Sequence, residues 1–392
     1  MEEKCLKKKK IIFVSEYLGL ECNSTSYYWT KILESLQGNF DIVVVAPSSK
    51  ENIAYLSKVR VNYVTYRHCS FRKSSMWSRL VAYIRMCMSM NDVVSSLAKK
   101  DDIIVSGTNP IFNLFYLSIL KKKIGFSWVL FGYDIFPENL VPANVIRPEN
   151  PFYILTKLFF SKLYCCPTEI VAVGRDMQLL LRKKVNNKIS VHYIPNWADH
   201  EDTFPVASER ENKNIVFQFF GNMGRLQDIE NILKAIPLVK SSRAVFSFIG
   251  NGGESEKVKC FISNMNDSRV TFKGPCSMSN RNEALSSCDV ALVSLKSGMY
   301  GLAVPSKAYF SLAANKPLIV VGDKGSELRL LVEEHNLGWS CDASMPEQLA
   351  RLIDYICMGG EESLNMNVRD VMIDNFSESA SLKAINEIFS RF

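Results

Sequence analysis

The sequence predicts an α/β protein of two successive parallel-sheet domains, and three observations carry that prediction. Short β-branched apolar runs alternate with helical patterns, a polar stretch from Ala198 to Lys213 interrupts them, and the same alternation then restarts. At 392 residues the chain also exceeds what one core usually serves, so two domains of roughly 200 residues each are expected.

The first domain opens as a βαβ unit. Lys10 to Val14 and Phe40 to Ala46 are apolar runs flanking a helical pattern from Trp29 to Leu36. Further strands are expected at Asp102 to Val105, Trp128 to Phe131 and Glu169 to Val173. Unbroken apolar runs of this kind belong to strands covered on both faces. After the polar stretch, strands are expected at Asn214 to Phe220, Ala244 to Ile249, Arg269 to Phe272, Val290 to Val293 and Leu318 to Val321, with a helix from Ile229. The expected boundaries are a domain over 1–197, a linker over 198–213, a domain over 214–374, and a terminal segment over 375–392. A helix from about Ser377 to Phe389 in that last segment is expected to pack back on the first domain.

Composition narrows the class. With 47% hydrophobic and 22% charged residues the chain reads as globular rather than disordered. Eleven cysteines at irregular spacings, including Cys165-Cys166, form no disulfide or zinc framework, which favours a reducing, cytoplasmic compartment. No targeting signal is read, and no apolar stretch is long enough to span a bilayer. Residues 1–200 hold 27 Lys and Arg against 16 Asp and Glu, whereas residues 201–392 hold 20 against 24. The basic half suits a phospholipid surface, a lipid diphosphate or a nucleic acid, or is simply solvated. Basic and aromatic residues recur over Lys58 to Arg85 and at Lys121-Lys122-Lys123, which is suited to peripheral contact with an anionic membrane. No RNA-binding signature is present, so no nucleic-acid partner is expected.

In open parallel sheets, ligands bind beyond the carboxyl ends of the strands, where glycine turns and helix N-termini meet phosphate. Four such turns stand out: Glu16 to Ser26, Gly221 to Arg225, Gly250 to Gly253, and Gly301 to Lys307. None is a dinucleotide fingerprint or a P-loop, which disfavours a nicotinamide oxidoreductase or a P-loop kinase. A glycine after a strand is also, more simply, a turn device. The histidines His68, His192, His200 and His335 lack zinc-ligand spacing, so no metal site is expected, and no nucleophile elbow supports a hydrolase.

Taken in order, Ser15-Glu16-Tyr17, Tyr133-Asp134-Ile135-Phe136-Pro137-Glu138, Ile194-Pro195-Asn196-Trp197, Phe219 to Gly224, Phe248 to Gly252, and Val304-Pro305-Ser306-Lys307-Ala308-Tyr309 running on to Lys316-Pro317 resemble one family. It is the retaining glycosyltransferases of family 4, with the GT-B fold of two Rossmann-like domains facing a central cleft. The likeness is to the bacterial branch that builds O-antigen, capsule and exopolysaccharide, including fucosamine-type transferases. It covers nearly the whole chain, and the Pro-Ser-Lys segment is its most specific piece.

The resemblance implies an acceptor-side first domain and a nucleotide-sugar-binding second domain. The donor, expected to be UDP-linked, would lie against Val304, Pro305, Ser306 and Lys307, the turn holding Gly221, Asn222, Arg225 and Gln227, and the turn holding Gly250, Asn251 and Gly252. Gly19, Ser24 and Thr25 would meet the diphosphate from the first domain, or serve only as an N-cap cluster. Asp134 would orient a sugar hydroxyl or take the acceptor proton, with Glu138 a second carboxylate candidate; an Asx turn before Pro137 is the plainer reading of Asp134. Ser306 is otherwise an N-cap and Lys307 a solvated first-turn residue. The acceptor implied is a polyprenyl-diphosphate-linked saccharide, and family members generally need no metal.

This chain departs from the common family pattern. Asn222 and Gln227 stand where an Arg and a Lys are usual, and Phe310 stands where the second glutamate of a Glu-x7-Glu element belongs. These departures keep open the reading of a catalytically weak donor-binding subunit, and the shared two-domain fold keeps open a UDP-sugar 2-epimerase.

Overall fold

The computed structural model describes residues 8–19, 24–59, 61–67, 76–207, 214–359 and 366–392. Its first sheet holds β1 (Lys10–Val14), β2 (Asp41–Pro47), β3 (Asn62–Tyr66), β4 (Ile103–Gly107), β5 (Ser127–Gly132), β6 (Glu169–Ala172) and β7 (Ser190–Tyr193), in the order β3-β2-β1-β4-β5-β6-β7. The second holds β8 (Ile215–Asn222), β9 (Ala244–Asn251), β10 (Val270–Lys273), β11 (Val290–Ser294), β12 (Leu318–Gly322) and β13 (Gly338–Asp342), in the order β10-β9-β8-β11-β12-β13. Every pairing is parallel.

Helices cover both faces. The first domain carries α1 (Ser24–Leu36), α2 (Lys50–Leu56), α3 (Met76–Leu97), α4 (Phe112–Ile124), α5 (Pro151–Tyr164) and α6 (Arg175–Lys184). The rest are α7 (Ile229–Ala235), α8 (Ser255–Met265), α9 (Arg281–Ser286), α10 (Lys307–Ala313), α11 (Glu327–His335), α12 (Pro346–Gly359), α13 (Val368–Phe376) and α14 (Glu378–Phe389). This is an α/β architecture of two Rossmann-like domains, as the alternation predicts.

Interior strands are where the apolar runs lie. Ile11, Ile12 and Phe13 of β1 and Ile103, Ile104 and Val105 of β4 are fully buried, each burial contributing roughly 1.5–3 kcal/mol. The strands that the sequence reading passes over, β3, β7 and β13, all lie at sheet edges. They are half-exposed and lack a continuous apolar run.

The chain crosses between domains and returns. Residues 198–203 are tied down, with Ala198 bridged to Ser377 and Arg369 donating to the carbonyls of His200 and Thr203 at 2.7 Å each; residues 208–213 of the expected linker lie outside the described residues. α14 lies on α1, where Phe389 meets Phe40 edge to face at 6.1 Å and Asn386 bonds Ser35. Lys31 of α1 bridges Asp199 and Glu378 at 3.0 Å each. One apolar core therefore runs from the first sheet across the seam to α10, α13 and α14, and a second fills the far side of the six-stranded sheet.

Candidate active site in the interdomain cleft

Strand order reverses direction between β1 and β4 in one sheet and between β8 and β11 in the other. Crevices at such points are where α/β sheets bind ligands. The segment after β5 meets the one before α10, with Asp134 bridged to Ala303 and the Ile135 N–H donating to the Leu302 carbonyl at 3.0 Å. Carboxyl ends of the two sheets thus share one cleft.

Around it the structure gathers α1, the β8 turn and α10. Ser306 sits at the N-cap of α10, but its side chain caps no backbone N–H of that helix. Its hydroxyl instead bonds Tyr28 Oη of α1, which in turn donates to the Trp197 carbonyl at 2.8 Å. Val304 is buried, and its carbonyl accepts from Asn196 Nδ2 at 3.3 Å. Pro305 lines a cavity of only about 20 Å³ that also touches Glu327.

Lys307 is the sharpest feature and it is not solvated. Its Nζ is sealed from solvent without a hydrogen-bond partner among the described residues, and lies 3.4 Å from the centroid of the Phe219 ring. Phe219 itself is fully buried two residues before Gly221. Burial pushes the Lys307 ammonium well below its ordinary value, because a π face offsets only part of the lost hydration. Among the described residues, a cation so placed has no counter-ion.

The glycines divide by role. Gly221 has φ +104° and open space where a side chain would begin. Gly250 has φ +137°, and a Cβ there would stand 2.0 Å from the Gly221 carbonyl oxygen. Gly252 would meet Met223 O at 2.5 Å, and Asn251 accepts through its carbonyl from the Met223 N–H at 2.8 Å. Gly250, Asn251 and Gly252 thereby form the support on which the Gly221–Arg225 turn rests. Asn222 and Arg225 are exposed, while Gln227 is half-buried with its Oε1 unpartnered among the described residues.

On the first-domain side, Gly19 has φ +94° and donates its N–H to Thr30 at 2.9 Å. Ser24 is exposed and Thr25 half-buried in the first turn of α1; residues 20–23 lie outside the described residues. Asp134 accepts from Asn109 Nδ2 at 3.0 Å rather than from the backbone of its own turn, while its N–H reaches Thr108 at 3.3 Å. Desolvation raises its carboxyl above the ordinary 3.8, against the pull of the Asn109 bond. Glu138 is engaged elsewhere, in an ion pair with Lys184 of α6, which is 4% exposed against 13% for the glutamate.

A larger cavity of about 720 Å³ adjoins this region, bordered by Tyr153, Asp228, Lys234, Lys296, Tyr300 and Ser344 among others. Its size is that of a small-molecule pocket. Of the residues predicted for the site, only Glu138 lines it. Lys296, which follows β11 at the strand reversal, was findable by the same strand-end rule. Phe310, at the position where the resemblance places a glutamate, packs on Tyr27 at 5.4 Å, with the Arg281 guanidinium 5.3 Å from its ring. Arg281 comes from a separate helix, so no local signal marks it.

Among the described residues no group of three or more His, Cys, Asp or Glu gathers as a metal site, and no helix is long and apolar enough to cross a membrane.

A cleft between two facing doubly wound domains, with a cation and helix ends at its strand reversals, is an arrangement for handling an anionic ligand. The chain belongs to the group 1 glycosyltransferases, whose family matches residues 200–370. It is 40% identical over 383 residues, 95% of this chain and 96% of the other, to a Pseudomonas aeruginosa protein described as the probable glycosyltransferase WbjE. It is 24% identical over 175 residues, 42% of this chain and 43% of the other, to the putative colanic acid biosynthesis glycosyl transferase WcaI of Escherichia coli. In fold it is similar to Anabaena HepE in complex with UDP-glucose, at TM-score 0.72 and 13% identity over 98% of this chain and 100% of that one. Sucrose-phosphate synthase of Thermosynechococcus elongatus matches at TM-score 0.78 and 13% identity over 98% and 99%.

Proposed function

We propose that this glycosyltransferase moves a hexose or acetamido sugar from a UDP-linked donor to a polyprenyl-diphosphate-linked saccharide, with retained anomeric configuration, in surface polysaccharide synthesis at the cytoplasmic face of the membrane. The observation that carries the reading is Lys307, a buried ammonium without a counter-ion among the described residues, at the point where α1, the β8 turn and α10 converge. A donor diphosphate supplies the missing charge. Likeness to WbjE over almost the whole chain supports glycosyl transfer, likeness to the putative colanic acid biosynthesis transferase WcaI supports the polysaccharide role, and the UDP-glucose complex of HepE supports the nucleotide.

In this reading Lys307, Arg225, Ser306 and the N–H groups in the first turn of α1 stabilise the departing diphosphate, with no metal required. Gly221 leaves open backbone beside it. The bond from the anomeric carbon to phosphate oxygen breaks, and one to the acceptor oxygen forms. Asp134, its carboxyl raised above the ordinary range by desolvation, orients the acceptor hydroxyl and takes its proton. No side chain is assigned as a covalent nucleophile. The test is a panel of nucleotide sugars in thermal unfolding: a UDP-linked donor at a hundred times its Kd adds roughly 2.7 kcal/mol. No stabilisation by any UDP- or GDP-linked sugar contradicts the proposal.

A further inference from the structure

α5 is apolar on both sides. Tyr153, Phe160, Leu163 and Tyr164 are buried against the domain and account for one face. On the other, Phe152, Leu155 and Leu158 are 69%, 66% and 61% exposed, with Ile154 and Phe159 exposed beside them. Spacings of three and four residues set Phe152, Leu155 and Phe159 along one stripe. A surface helix of a globular domain carries polar residues there, and a contiguous exposed apolar patch marks an interaction surface. The patch continues onto α4, where Phe115 meets Phe159 at 5.8 Å and Ile119 is exposed.

Charge selects the occupant. α4 ends in Lys121, Lys122 and Lys123, α5 carries Lys157 and Lys162, and neither helix contains an Asp or Glu. Two copies joined face to face would set these lysines against one another. An anionic bilayer satisfies both the apolar stripe and its cationic surround. The buried side of the same helix matters too, because Tyr153 lines the cleft cavity together with Pro148 and Glu138 of the preceding segment.

We infer that α5, with the lysine-tipped end of α4, is an in-plane membrane-docking element that sinks Phe152, Leu155, Leu158 and Phe159 into an anionic bilayer and holds the mouth of the cleft at headgroup level. Its use to the enzyme rests on the proposed lipid-linked acceptor; the membrane binding itself does not.

The experiment is flotation of the full chain with vesicles of phosphatidylcholine alone or mixed with phosphatidylglycerol. The wild type floats with the mixed vesicles. The double variant Leu155→Gln/Leu158→Gln loses at least tenfold in partitioning while its melting temperature and UDP-sugar binding in solution stay unchanged, and Lys122→Glu/Lys123→Glu weakens binding to the mixed vesicles alone. A wild type that stays unbound, or a double variant that floats equally well, overturns the inference. So does a soluble dimer that the double variant turns into monomers. Donor binding in solution reports separately on the proposed function, so the two readings fail independently.

Discussion

Asp176 and Glu327 cap each other's helices across the domain seam. Asp176 Oδ2 accepts the Glu327 N–H at 3.2 Å where α11 begins, and Glu327 Oε2 accepts the Arg175 N–H at 2.6 Å where α6 begins. Asp176 also takes the Gly301 N–H at 3.0 Å, and Tyr193 donates to the second oxygen of Glu327 at 2.7 Å. Both residues are almost wholly buried, so these donors are what makes two neighbouring carboxylates tolerable. Through Gly301 the pair fixes the segment leading to Lys307.

Replacing Asp176 with Ala leaves the Gly301 and Glu327 N–H groups without acceptors. The expected loss is about 1–3 kcal/mol for each, read as a lower midpoint in urea unfolding. Donor affinity falls with it, because the 301–307 segment is no longer held. Unchanged stability would show that the seam is not secured here.

Lys307 sets function against stability. Lys307→Met removes an unpaired buried cation while keeping the stem, so the free protein gains roughly 1–3 kcal/mol as donor binding is lost. The pH dependence has a definite sign. The lysine pKa is lowered on folding from its ordinary 10.5, so the unfolded chain holds the proton more tightly. Its penalty is full below the folded value and shrinks as pH rises towards 10.5, so the advantage of Lys307→Met narrows over that span. Donor affinity in the wild type declines over the same span, as the cation loses its proton. An advantage that widens with pH would contradict the buried, unpaired amine.

Asp134 and Glu138 separate cleanly by substitution. Asp134→Asn lowers turnover by about 10²–10⁴ with donor binding retained, as removal of a positioned base does. Glu138→Gln strands the Lys184 ammonium, which burial already pushes below its ordinary range, and costs about 3–5 kcal/mol of stability. Rapid-quench turnover beside thermal unfolding distinguishes them. If Glu138→Gln is the variant with intact stability and lost turnover, the roles are reversed.

The fold was legible wherever a strand is buried on both faces, because β1, β4 and β12 need unbroken apolar residues to be buried at all. It was illegible at β3 and β13, where an edge strand with one wet face carries no such run. Within the site, the order of the turns announced the cleft, but a glycine reads the same whether it admits a ligand or a neighbouring backbone. Gly250 and Gly252 do the second, and only their contacts with Gly221 and Met223 show it. The direction of Lys307 into Phe219 rather than into water depends on packing between β8 and α10, distant in sequence. The exposed stripe of α5 was hidden for a related reason: an apolar helix does not state which of its faces the domain covers.

In the proposed function, Lys307 is the cation that receives the donor diphosphate. The direct test is calorimetric titration of UDP-sugars into wild type, Lys307→Ala and Lys122→Ala. Binding by wild type and Lys122→Ala with loss of at least tenfold, about 1.4 kcal/mol, in Lys307→Ala is the predicted result. Equal affinity in all three proteins would contradict it.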